Sequence, residues 1–584
     1  MKKNKSGFVR LAKLMAPYHA MLLLCLLCVI VANVAQILNP IFAEKIIDDF
    51  LIAKKPQSGL YSIAGLAVSY FLVELIGAVG SVCQSRCMAR MSQSILHDMR
   101  VTVFDKIMNM SMRVIDKNGT GRLITRATND VETINEFYSD VFINLFKDVF
   151  LLIGILIMMA AMNFKLALVS FTGIPLIFLI SFSLKKVIKE NFKKVKRTIG
   201  KINGFISENI NGMKIVQAYN RQKDKYDEFE TLNDEYFKGT FTQVVLNSFL
   251  RPAMEIINNL VIALLIAYSI GGIENGVLEV GVLYAFTNYV KKFFDPINDL
   301  AEKYTSIQSA FVSVDRIYEV LDETDCDNLR GGTYRAPVRG EVEFQHVWFA
   351  YNNENWILKD VSFKLHIGQK AAFVGATGAG KSTIINLISG YYLAQKGRIL
   401  VDGVPVEDWD VKALRDGVTT VQQDVFLFAG NIRDNIRMRT DLPDNAVQKA
   451  LHIAHADTFV NGEGSLEFPV TEQGLNFSTG QRQLLSFARA VAADPAVLVL
   501  DEATAHIDSN TEETVQQSIV SISQNRTCIF IAHRLSTIRS CDVIFVIDHG
   551  KILESGTHDA LYAQKGRYYQ LVQAAEETTQ TLSC

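Results

Sequence analysis

The stretch from Ala371 to Thr383, AAFVGATGAGKST, sets an apolar run directly before a glycine loop and an apolar helical pattern directly after it. Gly375, Gly380, Lys381 and Ser382 match the spacing of a phosphate-binding P-loop, with Thr377 and Gly378 inside the loop and Thr383 just beyond. Glycines let backbone N–H groups approach phosphate oxygens, and the helix that follows presents its positive end to them. Lys381 then reaches the outer phosphates and Ser382 holds the metal, so the expected ligands are ATP and Mg2+. Downstream, VLVLDE (497–502) reads as a buried strand ending in two carboxylates. Asp501 is suited to ordering magnesium and Glu502 to polarising an attacking water.

These residues need a scaffold of alternating strands and helices, and the sequence changes to that pattern after Arg316. A linker containing glycine and charge, Asp322 to Gly340, leads into it. The whole chain has 584 residues, of which 49% are hydrophobic, which is too much for one ordinary domain. Its formal net charge of -2 gives no electrostatic reason to bind nucleic acid. Of eight cysteines, Cys25, Cys28, Cys83 and Cys87 lie in apolar helical runs and the others are scattered through the second half. Their spacing predicts neither a disulfide framework nor a metal framework.

The first half carries apolar windows near 20–38, 60–80, 141–161, 166–184, 254–273 and 280–297, each about long enough to cross a bilayer. Lys291, Lys292 and Asp295 weaken the last, but an even number of crossings returns the chain to its starting side. Basic residues before the first window and the run KKVIKENFKKVKR (185–197) place both in the cytosol. Phe8, Leu11 and Met15 recur at helical spacing, as in a helix lying along the inner membrane surface. Polar helical stretches between the second and third windows, and between the fourth and fifth, project into the cytosol. Asp116 to Gly121 and Glu208 to Asn220 interrupt them where docking elements could form.

The segment NFSTGQRQLLSFARA (476–490) resembles the signature region of ATP-binding cassette (ABC) proteins, and the full chain resembles a bacterial half-transporter of the multidrug-exporter type. The resemblance implies an all-α six-helix transmembrane domain followed by an α/β P-loop nucleotide-binding domain, the type I ABC exporter (type IV transporter) architecture. Expected boundaries are 1–320 for the membrane domain, 321–338 for the linker, 339–575 for the ATPase domain and 576–584 for a tail. By the same resemblance Tyr351 stacks on adenine, Gln423 touches magnesium and water, and His533 contacts the terminal phosphate. Ser478, Gly480, Gln481 and, in the D-loop, Asp508 act on nucleotide. GTGRLITRATNDVETI around Arg126 and Asp130, ENINGMKIVQAY and FFDPINDLAEKY resemble the coupling segments and sixth helix of such exporters. The helix near Glu208 to Ile215 is implied to dock on a partner's ATPase domain.

The signature departs from the usual LSGGQ. It reads Phe477, Ser478, Thr479, Gly480, Gln481, so a side chain replaces a glycine that faces phosphate. In this family each ATP is sandwiched between one chain's P-loop and the other's signature, so this defect falls on the partner's site. A heterodimer is therefore expected, with a partner that carries a regular signature and an impaired catalytic glutamate. The backbone freedom lost at Thr479 motivates it. Membrane charges mark cavities or pairs, and Glu74, Lys147, Asp148, Glu255, Lys291, Lys292 and Asp295 are candidates. Lys291 and Asp295 lie one helical turn apart and can pair with each other.

The expected function is export of amphipathic small molecules, drugs or else lipids or peptides, across the cytoplasmic membrane, in contact with membrane lipid and with the amino terminus and ATPase domain cytosolic. A homodimeric lipid or peptide exporter and, in another class, an ATP-gated channel or regulatory protein are the alternatives.

Overall fold

The computed structural model describes residues 7–52, 62–274, 278–327, 331–352, 355–438, 442–460, 466–501, 509–531 and 535–582. Two compact units result. One comprises Met1–Phe104 and Ile124–Leu321, and the other comprises Asp105–Leu123 and Asp322–Cys584. The stretch 105–123, expected to belong with the membrane helices, thus groups with the ATPase half.

Helices dominate the first unit. They are α1 (Gly7–Met15), α2 (His19–Lys45) and α3 (Ile63–Met108), which continues past the unit's limit toward α4 (Met112–Asn118). After further helical turns come α5 (Ile143–Met162), α6 (Phe164–Phe171), α7 (Gly173–Asn211), α8 (Met213–Ala218), α9 (Gln222–Glu274) and α10 (Val280–Leu321). Among the described residues four stretches, Gly7–Ile52, Ile63–Met108, Thr120–Met162 and Glu255–Glu274, are long and apolar enough to cross a membrane, and Phe164–Pro175 is apolar but shorter. The sixth expected span falls in α10, whose Lys291 and Lys292 dilute its hydropathy.

Proline explains the join between α2 and α10. Pro40 sits inside α2 and has no N–H, so the carbonyl of Gln36 loses its helical partner. Lys292 of α10 supplies a replacement, its Nζ donating to Gln36 O at 2.9 Å. One turn away the buried Tyr289 hydroxyl donates to Ile37 O at 2.6 Å. Farther along, Asp48 accepts from the N–H of Gly281 at 2.7 Å. Lys292 is therefore committed to backbone here rather than being a free cavity charge. Asp148 is likewise paired, with Lys303 at 3.5 Å. The side chain of Asp295 lies outside the described residues, so its expected pairing with Lys291 is not placed.

Near the other end of α10 the buried carboxylate of Asp130 accepts from Arg126 at 2.7 Å and from Ser313 at 3.0 Å, with Arg316 at 3.6 Å. This node joins the segment around Arg126 to α10. At the amino terminus Leu11 and Met15 are buried but Phe8 is 63% exposed. Arg10 pairs with Asp315 at 2.9 Å and Tyr138 donates to Leu11 O at 2.7 Å. So α1 packs on protein along part of the face expected to meet lipid.

In the second unit an antiparallel sheet of order β2-β1-β4-β5 contains β1 (Val342–Phe349), β2 (Leu358–Leu365), β4 (Lys396–Val401) and β5 (Val404–Pro405). A six-stranded sheet contains β3 (Lys370–Val374), β6 (Val418–Val421), β7 (Val497–Asp501), β8 (Thr527–Ile531), β9 (Val543–Asp548) and β10 (Lys551–Gly556), in the order β10-β9-β3-β8-β7-β6. All its pairings are parallel except β9 with β10. Its central strands are buried along nearly their whole length, which is why VLVL and TCIFI read as continuous apolar runs. Helix α11 (Lys381–Ile388) follows β3, and α12 (Thr479–Val491) precedes β7.

Candidate nucleotide-binding site

In a parallel sheet ligands bind beyond the carboxyl ends of the strands. Strands β3, β8, β7 and β6 are neighbours, with Ile531 paired to both Phe373 and Asp501, and Leu500 to Val421. Their carboxyl ends therefore carry the P-loop, Asp501 and the segment of Gln423 to one edge. Gln423 is exposed there and Asp501 is half-buried. Glu502, Asp508 and His533 lie outside the described residues. In sequence Glu502 follows Asp501 directly and His533 comes two residues after Ile531.

The loop requires glycine at two places. Gly375 has φ +154° and a Cβ there would lie 2.1 Å from Ile547 O, while Gly380 has φ +108° and its Cβ would meet Leu358 at 2.7 Å. A side chain at Gly375 would press on the backbone of Ile547, and at Gly380 the positive φ strains any residue that carries a Cβ. Lys381 is 7% exposed, and its ammonium donates to Gly375 O at 2.7 Å and to Ala376 O at 3.1 Å. The cation thus lies over the loop that would cradle phosphate, and Ser382 and Thr383 follow in the first turn of α11. Donor set and cradle fit a triphosphate with magnesium.

Tyr351 meets Phe349 and Tyr392 edge-on at 4.9 and 5.0 Å, is 37% exposed, and receives a hydrogen bond from Asn386 at 3.0 Å. Its ring is fixed on one side and open on the other, as a stacking platform must be.

Ser478 begins α12 with a capping box. Its Oγ accepts from Gln481 N–H at 3.2 Å, and Gln481 Oε1 accepts from Ser478 N–H at 2.9 Å. Phe477 buries its ring against Phe459 and Phe468, so phenylalanine fills the place leucine usually takes. Thr479 is the first residue of the helix and is not among the residues with positive φ. A Cβ is therefore no backbone strain there, which removes the conformational argument raised from sequence. What remains is side-chain bulk and the contact of Thr479 Oγ1 with Arg482 at 3.3 Å.

Sequence reasoning missed Arg489 and Tyr392. From α12 the Arg489 guanidinium donates to Phe426 O at 2.8 Å, Asn435 O at 2.8 Å and Asn435 Oδ1 at 2.9 Å, tying the signature helix to the segment just after Gln423. Burial lowers its pKa from the ordinary arginine value. The Tyr392 hydroxyl donates to Asp116 of α4. Nearby, Asn109 and Asp327 are joined by a backbone hydrogen bond of 2.9 Å, and Arg415 holds Asp327. The first docking element expected from sequence is thus a helix seated on the ATPase unit. The second interruption forms α8, which has no buried residue within the chain; its Ile215 is 66% exposed and Tyr219, just past its end, 76%.

A P-loop ATPase unit joined to long apolar helices defines an ATP-driven membrane transporter. The chain belongs to the ABC transporter family. It matches the family model of the ABC transporter transmembrane region over residues 22–297 and the ABC transporter model over residues 358–505. It is 37% identical over 566 residues to the ABC transporter ATP-binding protein exp8 of Streptococcus pneumoniae, covering 96% of each chain. It is 30% identical over 566 residues to the multidrug resistance-like ATP-binding protein MdlB of Buchnera aphidicola, covering 96% of this chain and 97% of that one. A solved bacterial Atm1-family ABC exporter with ATP bound shares the fold, with a TM-score of 0.78 at 24% identity over 96% of this chain and 98% of that one. The protein is a bacterial half-transporter and a transport ATPase, multi-pass in the cytoplasmic membrane with its ATPase domain cytosolic. ABC exporters work as dimers.

Proposed function

We propose that this chain is one half of a heterodimeric exporter of amphipathic small molecules, energised by MgATP held at its own P-loop. The folded-over Lys381 and the glycine cradle support this reading most directly. Lys381 would grip the outer phosphates through backbone donors and its own charge. Ser382, Asp501 and Gln423 would hold magnesium, partly through water, and the metal would neutralise charge building on the transferred phosphoryl group. Glu502 would orient and deprotonate the attacking water, His533 would contact the terminal phosphate, and Tyr351 would stack on adenine. Ser478, Gly480, Gln481 and Asp508 would act on the site whose P-loop belongs to the partner.

Closure of the two ATPase domains on ATP would favour an outward-facing membrane half, because ATP binds the closed state more tightly, and hydrolysis would reset it. The 1–320, 321–338, 339–575 and 576–584 boundaries are proposed on the same basis. Threonine in place of the signature glycine favours unlike partners, now through side-chain bulk at the start of α12 rather than through backbone strain. Likeness to a multidrug resistance-like relative favours drug-like cargo.

Purification of the tagged chain from its own cell tests the pairing. Stoichiometric recovery of a second half-transporter with a regular signature and no catalytic glutamate supports it. Full ATP-coupled transport by this chain alone rejects it.

A further inference from the structure

The segment that follows Gln423 is fixed to the signature region at three places. Leu427 is fully buried, and a Cβ on Gly474 would lie 2.7 Å from its Cδ1. Gly430 and Asn431 pair antiparallel with Val470 and Pro469, ahead of the signature. Arg489 of α12 closes the third side, with Nη1 donating to Phe426 O, Nε to Asn435 O and Nη2 to Asn435 Oδ1. Asn435 is 2% exposed, and its amide makes all four of its hydrogen bonds. Beside Arg489, its Oδ1 accepts from Phe428 N–H at 2.8 Å, and its Nδ2 donates to Phe428 O at 2.7 Å and Asn431 O at 3.0 Å. Among the described residues no carboxylate pairs with the Arg489 guanidinium, whose acceptors are three neutral oxygens. A charge taken from water without a counter-ion is costly, so packing alone would favour methionine or leucine at this position. A planar fork that donates in several directions does what neither can, since it fixes where Phe426 and Asn435 lie relative to α12. Only Asp424 and Val425 separate Phe426 from Gln423.

We infer that Arg489 is a positioning residue that makes the Gln423 segment and the signature helix one body, so that the placement of Gln423 at this chain's nucleotide is coupled to the placement of the signature at the partner's. The inference rests on the division of the two ATP sites between the chains given under the proposed function. Arg489 touches neither nucleotide and acts through Gln423. Without the fork, Gln423 no longer moves with α12. ATP is still held at Lys381, but hydrolysis there loses the alignment that Gln423 gives to magnesium and water.

A double-variant cycle on the full chain, assembled with any copurifying partner and given MgATP, tests this. Arg489→Met should lower kcat for phosphate release by up to about 100-fold, as a small misplacement of a catalytic group can, while KM and the ATP retained at this chain's P-loop stay unchanged. Gln423→Ala should also lower kcat, and the double variant should be no slower than the slower single one, because both substitutions remove the same alignment. Arg489→Lys keeps the charge but not the fork, so it should fold as the unmodified chain does and still be slow. Additive losses, full kcat in Arg489→Lys, or loss of ATP from a folded Arg489→Met overturn the inference alone. Hydrolysis unaffected by Gln423→Ala overturns the division of sites beneath it and the inference together.

Discussion

The hydroxyl of Tyr392 donates a hydrogen bond to the carboxylate of Asp116, 276 residues earlier in the chain. The same ring meets Tyr351 edge-on at 5.0 Å, and Tyr351 contacts Thr383 of α11 through a 3.3 Å hydroxyl contact. A short docking helix and the proposed adenine platform are thereby linked through two aromatic rings within one compact unit.

Replacing Tyr392 with Phe keeps the ring contact and removes only the donor. A hydrogen bond to a charged group is worth about 1.5–3 kcal/mol. ATP affinity of Tyr392→Phe should stay near that of the unmodified protein while stimulation of ATPase by transported compounds falls several-fold. Nucleotide titration beside stimulated and basal phosphate release checks both halves. Equal stimulation in the two proteins would remove Tyr392 from the coupling path.

The Lys292 bond to Gln36 exists because Pro40 cannot supply the N–H. Lys292→Met should leave a partly buried carbonyl unsatisfied and destabilise the membrane helices by about 1–3 kcal/mol. Pro40→Ala restores an N–H in register with Gln36 O, so the double variant should recover most of that loss. Thermal unfolding of the four proteins in detergent forms the cycle, and additive effects of the two substitutions would contradict this reading.

Ser478→Ala removes one half of the capping box at α12 and should destabilise that helix by about 1 kcal/mol. If the signature acts on the partner's site, nucleotide bound at this chain's Lys381 should be unaffected while nucleotide bound at the partner's P-loop is lost. Photolabelling that separates the two subunits distinguishes these effects.

Burial raises the thiols of Cys528 and Cys541 from 9.0 to about 12 each. Below about pH 9 both are protonated whether folded or unfolded, so they add no pH dependence. Between about 9 and 12 only the unfolded chain gives up these protons, so stability falls as pH rises. Urea unfolding of the protein across this range should show a shallower pH slope in the Cys528→Ala, Cys541→Ala double variant. An unchanged slope would mean that other groups govern alkaline unfolding.

The P-loop was legible in the sequence because its physics is local: a strand, two glycines at strained φ and a lysine six residues after the first are all encoded within about a dozen positions. The first, second, third and fifth expected spans match stretches long and apolar enough to cross a membrane, whereas the fourth meets only the shorter apolar stretch Phe164–Pro175 and the last carries Lys292, which looked like a cavity charge until the fold brought Pro40 opposite it. Contacts such as Tyr392 with Asp116 or Arg489 with Phe426 join distant positions, and no periodicity in one sequence marks them. Thr479 was misjudged in another way. The glycine it replaces suggested a demand for backbone freedom, but the position opens a helix and is occupied without strain.

The central claim is that hydrolysis assisted by Glu502, at the nucleotide held by Lys381, drives transport. The direct measurement compares Glu502→Gln with the unmodified chain, each assembled with any copurifying partner in inside-out vesicles, and follows bound ATP, phosphate release and uptake of a labelled amphipathic compound together. The expected result is retained ATP with phosphate release and uptake both nearly abolished; phosphate release and uptake at the unmodified rate would contradict it.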